Sequence, residues 1–218
     1  MFVVNFMTKK VVTVTPETLL PQVKDLLKTG NFRHLPVVDA SGRLAGMLTD
    51  RDLRSAYPSV LMDEQERGRY LKRFKGMKLS EIMTEATARL SPQSTLDDAL
   101  LLFDQAKVGA LPVVDAEQKV VGIFSVRDLL AAYKKLFGLG EKGSTLIAVK
   151  DDGKPNPLSR LTAALEGKNV PFSRLIRNVR PESDSGAGLI YIRIHTHNLS
   201  GVHTTLAAAG FETVAPAA

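Results

Sequence analysis

Six consecutive residues, Leu35-Pro36-Val37-Val38-Asp39-Ala40, return letter for letter as Leu111-Pro112-Val113-Val114-Asp115-Ala116, 76 positions further on. The same offset superposes Met7-Thr8 on Met83-Thr84, Pro16 on Pro92, Leu26 on Leu102, Gly46 on Gly122 and Arg51-Asp52-Leu53 on Arg127-Asp128-Leu129, with no gap. A fixed internal period constrains the fold strongly, because each copy is one supersecondary unit that cannot bury its apolar face alone. Residues 1–138 therefore read as two copies of one unit facing each other across a pseudo-two-fold axis.

Within each copy a short apolar strand ends at Thr15-Pro16 or Ser91-Pro92, and a helix is expected to open on Thr18 or Ser94, whose hydroxyls suit an N-cap. Ser94 with Asp97 has the spacing of a capping box. Leu20, Val23 and Leu27, and likewise Leu96, Ala99, Leu100 and Phe103, recur at helical spacing. A β-rich run, a turn at Ser41-Gly42 in the first copy and a strand ending Gly46-Met47-Leu48 or Gly122-Ile123-Phe124 follow. A second helix then runs from Thr49 to about Tyr57, or from Ser125 to about Leu136, so each unit is β-α-β-β-α. Residues 58–79 connect the copies, with a helix predicted from Asp63 to Phe74.

After a glycine-rich hinge at 139–143 the repeat is lost. Strands are expected at Thr145–Val149, Ser173–Val179, Leu189–Thr196 and Phe211–Val214, helices at Leu158–Leu165 and Leu199–Ala209, and a polar turn at Pro181–Gly188. That order, βαββαβ, is ferredoxin-like. Along Leu189–Thr196, Ile190, Ile192 and Ile194 share one face, while Tyr191, Arg193, His195 and His197 share the other, which is left for water, a ligand or a second subunit. The fold class is α+β, divided as 1–57, 58–79, 80–138, 139–143 and 144–218.

The chain of 218 residues has 44% apolar and 24% charged residues and no cysteine. Thiol catalysis, iron–sulfur clusters, thiolate zinc sites and disulfides are thereby excluded. No stretch of about 18 apolar residues and no secretory pattern occurs, so a cytoplasmic protein with no membrane partner is expected. The net charge of +6 is largely local: residues 63–78 carry six basic and three acidic side chains. A solvated connecting helix explains them; a nucleic-acid interface at 63–78 is the lesser alternative, since no aromatic stacking array accompanies the charge.

The informative motif is Gly46-Met47-Leu48-Thr49-Asp50-Arg51-Asp52, matched by Gly122-Ile123-Phe124-Ser125-Val126-Arg127-Asp128. A hydroxyl and a carboxylate three residues apart at a helix start can simply cap the helix. The same geometry suits a phosphorylated ribose, because a helix N-terminus attracts phosphate and a carboxylate accepts from a diol.

The two Met-Thr starts, the two Leu-Pro-Val-Val-Asp strands and the two Gly-apolar-apolar-[Ser/Thr]-x-x-Asp ends together resemble the CBS domain, a module that works as a tandem pair and often binds adenosyl nucleotides. The resemblance implies two sites. Site one would use Thr49 and Asp52 for phosphate and ribose, Met47 as an apolar wall, Ser91, Val108, Gly109 and Ala110 around adenine, and Arg33 and His34 as further phosphate contacts. Site two would use Ser125, Asp128 and Ile123, with Thr15, Phe32, Arg33 and His34 around the base. Only site one has basic residues near its phosphate position, so it is the expected site for AMP, ADP or ATP; S-adenosylmethionine and NAD are alternative occupants.

The tail resembles an ACT domain, through its βαββαβ order and Asp151-Asp152-Gly153-Lys154-Pro155-Asn156-Pro157-Leu158, where Asn156 replaces the usual glycine. A CBS pair followed by an ACT-like tail is similar to the bacterial acetoin-utilization regulator family. The resemblance implies a homodimer, an amino acid as a ligand of the tail, and an unidentified protein partner. It implies no required cofactor and no enzymatic activity, and the sequence has no P-loop, dinucleotide fingerprint or nucleophile–base pattern. His195, His197 and His203 lack a carboxylate or thiolate to complete a metal shell, and Asn198-Leu199-Ser200 reads as a helix start. The rival reading is a constitutive scaffold in which the hydroxyl–carboxylate pairs only cap helices.

Overall fold

Each Leu-Pro-Val-Val run is the first strand of a hairpin, and the two hairpins are built alike. In the computed structural model, which describes all residues except 31, 60, 86–87, 179–187 and 215–218, β1 (His34–Val38) pairs antiparallel with β2 (Leu44–Thr49), and β3 (Ala110–Val114) with β4 (Val120–Ser125). Both registers slip at the same place, between Val37 and Val38 and between Val113 and Val114. The chain forms two compact units, Met1–Ala132 and Tyr133–Ala218.

In the first unit α1 (Leu20–Gly30) and α2 (Asp50–Ala56) flank the first hairpin, and α4 (Leu96–Ala106) and the start of α5 (Val126–Phe137), whose residues from Tyr133 on fall in the second unit, belong to the second, with α3 (Glu64–Gly76) between them in sequence. The strand expected before each first helix shrinks to a single parallel bridge, Val14 to Val37 and Leu90 to Val113. The helices also start later than Thr18 and Ser94. Those hydroxyls accept from the N–H of Thr15 (3.1 Å) and Ser91 (3.0 Å), closing the turn after the bridge, so they are not available as caps. The capping box of α4 is Thr95 with Asp98, one position beyond the Ser94–Asp97 pair. α3 keeps acidic Glu64 and Glu66 in its first turn and basic Arg73 and Lys75 in its last, as the helix dipole favours. Its Phe74 is buried in the first-repeat core, edge-on to Tyr57 at 5.2 Å.

The starting segments are exchanged between the copies. Val3 N–H donates to Ser94 C=O (2.8 Å), and Thr8 pairs with Ile123 of β4. Correspondingly, Leu79 N–H donates to Thr18 C=O (2.9 Å), and Thr84 pairs with Met47 of β2. Gly46 and Gly122 recur because of this approach. A Cβ at Gly46 would lie 2.8 Å from the Thr84 carbonyl oxygen, and one at Gly122 would lie 2.4 Å from Met7 Sδ. The tips of the two hairpins also meet, Leu44 N–H donating to Gln118 C=O (2.9 Å) and Val120 N–H to Gly42 C=O (3.3 Å).

The second unit has the order β5 (Thr145–Lys150), α6 (Pro157–Glu166), β6 (Phe172–Asn178), β7 (Leu189–Ile194), α7 (Leu199–Ala208), β8 (Thr213–Val214), and its strands lie antiparallel as β6-β7-β5-β8. This is the ferredoxin-like order expected. Val179 and most of the Pro181–Gly188 turn fall outside the described residues. Ile190, Ile192 and Ile194 are fully buried against Leu161, Leu165, Val202 and Leu206. Asn156 takes φ 55° at the start of α6, a left-handed conformation that asparagine tolerates.

The other sheet face is not left open along its length. Arg193 is 6% exposed, with Nη1 donating to Ser144 Oγ at 3.1 Å. Beside it, Arg174 holds Glu141 through two bonds of 2.8 Å, and its Nε and Nη2 reach the Leu136 and Lys135 carbonyls. The expected hinge is therefore strapped to the sheet. Arg174, with His195 and Arg193 nearby, holds the Glu141 carboxyl below the usual carboxylate range.

Candidate functional site

Each hairpin runs into its second helix at a hydroxyl residue. Thr49 caps α2: its Oγ1 accepts from Asp52 N–H (3.3 Å), while its N–H (2.8 Å) and hydroxyl (2.7 Å) donate to Asp52 Oδ2. Ser125 and Asp128 repeat the arrangement at 3.3, 2.8 and 2.6 Å. Both carboxylates are half-buried and fixed in direction by their own helix start. The loop before each first strand is tied to the same place, Asp50 N–H donating to Arg33 C=O (3.0 Å) and Val126 N–H to Gly109 C=O (3.1 Å).

What differs is the side chain beside each pair. His34 is the strand partner of Thr49; Ala110 is the partner of Ser125. His34 also reaches the other copy, since a Cβ at Gly109 would stand 3.1 Å from its Nε2. Burial, reinforced by Arg33 and opposed by Asp52, lowers the His34 pKa from its ordinary value of 6.5. The ring is thus neutral near pH 7, a hydrogen-bonding group whose charge an incoming anion would restore.

The structure brings Thr49, Asp52, His34 and Gly109 together, with Arg33 fastened to the first residue of α2. Met47 and Ile123 are pinned by their bridges to Thr84 and Thr8. Ser91 sits in the turn before α4, its Oγ 3.3 Å from Ser94 Oγ, and is linked to β3 through the neighbouring Leu90–Val113 bridge. Ala110 is buried and Val108 is exposed.

Site two is less coherent. Thr15 lines a cavity of about 570 Å³ with Thr13, Thr18 and Gln22. Phe32, expected around the same base, packs against the first-repeat core with its ring where a Gly30 Cβ would be. Together with Arg33 it lines a separate cavity of about 560 Å³. Lys24, Lys28, Arg54 and Tyr57 border that second cavity and carry no motif. The signal that would have found them is the offset of 76, which sets them against Leu100, Asp104, Leu130 and Tyr133.

In the tail, His195 Nε2 lies 2.7 Å from Ser173 Oγ and His203 Nδ1 lies 3.1 Å from Thr213 Oγ1, so the two rings are engaged at different places. Asp151 is buried and bonded by Arg177 Nε at 2.5 Å, which fixes the turn into α6. Among the described residues no helix is long and apolar enough to cross a membrane.

Residues 3–59 and 79–135 match the family model described as the CBS domain. A CBS domain-containing protein of Dictyostelium discoideum is 33% identical over 126 residues, 58% of this chain and 86% of that protein. Inosine-5'-monophosphate dehydrogenase of Aquifex aeolicus is also 33% identical, over 56% of this chain but only 22% of the enzyme. Among solved structures, a CBS-pair protein from Arabidopsis thaliana in complex with AMP is 28% identical with a TM-score of 0.52, over 62% of this chain and 98% of that one. A Vibrio cholerae protein assigned as an acetoin utilization protein is 28% identical with a TM-score of 0.53, over 65% of this chain and 96% of that one.

Proposed function

The chain belongs to the CBS-domain family, and from that premise we propose that it is a regulatory sensor that binds an adenosyl nucleotide of the AMP, ADP or ATP type between its two repeats. The observation that carries this reading is the grouping of Thr49, Asp52 and His34 at the start of α2, with the side-chain-free Gly109 of the other copy facing them. The AMP bound by the Arabidopsis relative supports the ligand class. Asp52 Oδ2 carries both bonds from Thr49, which directs a ribose diol to Oδ1. Phosphate then lies toward the α2 N-terminus, Arg33 and His34. A bound nucleotide acts by favouring one packing of the pair over another, which requires different affinities for the two.

The tail completes this reading as an ACT-like module for dimerisation or amino-acid sensing, with the Asp151–Asn156 turn at the head of α6 as its candidate ligand contact. The protein is read as a cytoplasmic homodimer that performs no chemistry and signals to a protein partner. The acetoin utilization relative fits such a regulator.

A scaffold reading draws on one observation of its own: both hydroxyl–carboxylate pairs are already satisfied as helix caps. Thermal melting with AMP, ADP, ATP, NAD and S-adenosylmethionine separates the two readings. A nucleotide at 100 times its dissociation constant adds about 2.7 kcal/mol of stability. No shift with any of the five supports the scaffold. Mass spectrometry of small molecules released from the purified protein names the ligand.

A further inference from the structure

The first repeat holds a second concave place, on the helix side of its sheet, which adjoins the Thr49–Asp52 start through Arg33 and Asp50. Its floor is apolar: Leu27 and Leu53 are core residues, and Phe32 and Tyr57 pack against the same core. Its rim is cationic, with Lys24 and Lys28 on α1, Arg33 before β1 and Arg54 on α2. The one carboxylate among the lining residues, Asp50, is ion-paired with Arg54. The rim therefore has a positive excess over an apolar floor. Tyr57 is held in place by Lys24 Nζ, 4.0 Å from its ring centre, and by Phe74 on its edge. The volume, about 560 Å³, lies within the range of small-molecule pockets.

The duplicated copy shows that the fold does not require this charge. At the matching positions the second repeat has Leu100, Asp104, Gly109 and Leu130 in place of Lys24, Lys28, Arg33 and Arg54. Leu100 and Leu130 are exposed there, yet the hairpin and its helices form in the same way.

We propose that this cavity of the first repeat binds a small amphiphilic organic anion, its apolar body on Leu27, Phe32, Leu53 and Tyr57 and its carboxylate or phosphate among Lys24, Lys28 and Arg33. The proposal does not depend on nucleotide binding at Thr49 and Asp52.

Calorimetric titration of the full chain with octanoate, octyl phosphate, octanol and octylamine tests it. Both anions are expected to saturate below about 1 mM, with the tighter one naming the head group, and octanol and octylamine are expected to bind at least tenfold more weakly. Lys24→Glu/Lys28→Glu, at two exposed positions, is expected to lose at least tenfold in anion affinity while the ligand-free variant stays folded, as its melting transition checks. Asp104→Lys in the other copy leaves the titration unchanged. Equal binding of octanol, an unaltered affinity in the double variant, or saturation by neither anion would overturn the proposal. So would an apparent affinity that falls as protein concentration rises, since that assigns the cavity to a second copy of the chain.

Discussion

The helix side of the first repeat is basic and hollow, whereas that of the second is apolar and exposed. Lys24, Lys28 and Arg54 border a cavity in one; Leu100, Leu101, Val126 and Leu130 stand in solvent in the other, each between 38% and 60% exposed. The strands show no such divergence, since both hairpins keep the same register slip and both helix starts keep the same hydroxyl–carboxylate pair. The hairpins meet each other and are constrained by mutual packing, while the helix sides carry different side chains at matched positions. Exposed apolar side chains grouped on one side of a fold mark an interaction surface.

Four measurements sharpen or break this contrast between the copies. The largest effect is expected at the carboxylates of the two proposed sites: Asp52→Ala is expected to weaken adenosyl-nucleotide binding by about 1.5–3 kcal/mol, roughly 10- to 150-fold, and Asp128→Ala by less. Calorimetry compares them, and equal losses would remove the asymmetry assigned to His34 and Ala110. Both variants lose a similar cap, so melting of the ligand-free proteins serves as the control.

Next in size are the glycines where the exchanged segments pass. Gly46→Ala drives a methyl against the backbone carbonyl of Thr84, at 2.8 Å, and is expected to destabilise by about 1–3 kcal/mol. Gly122→Ala meets only the thioether of Met7, a flexible side chain, and is expected to cost less than about 1 kcal/mol. Urea denaturation of the pair reads the difference, and equal midpoints would show that the two crossings are equally tolerant.

On the helix sides, Leu130→Glu should weaken the proposed homodimer at least tenfold by placing a charge in the apolar patch, whereas Arg54→Glu should weaken it less. Light scattering across a dilution series measures both. The reverse order would move the dimer surface to the basic side.

The smallest effect is a pH slope confined to the first copy. His34 has its folded pKa held below 6.5, so in the window between that lowered value and 6.5 the unfolded chain binds a proton that the folded chain does not. Stability therefore rises with pH through the window and is lost as pH falls. His34→Gln is expected to flatten that part of the stability profile, and an unaltered profile would exclude the ring from the titration.

The paired repeats were legible because a shared offset is a property of letters alone, and the βαββαβ order of the tail because its apolar periods alternate cleanly. The helix starts were misplaced by one or two residues because Thr18 and Ser94 are good caps in isolation, and only the bridge at Val14 or Leu90 shows that their hydroxyls are spent on the turn before the helix. Arg193 illustrates a deeper limit: strand alternation put it on an outer face, but the segment carrying Glu141 and Ser144 folds back over that face. The hydroxyl–carboxylate pairs could be placed at helix starts from spacing, whereas the position of His34 against Gly109 depends on how the copies meet. The cavity beside Tyr57 had no motif at all, only a difference in charge between matched positions.

The exchange of starting segments makes the word linker misleading for residues 58–79. A break in that stretch would leave two fragments still knitted together, each holding the strip that completes the other's sheet. A single copy made alone would lack its own strip and could find one only on another molecule of itself, where Met7-Thr8 would meet Gly46 as Met83-Thr84 does here. The duplicated chain is in that sense a swapped dimer made continuous, with the covalent tie at 58–79 added to the non-covalent exchange of strips.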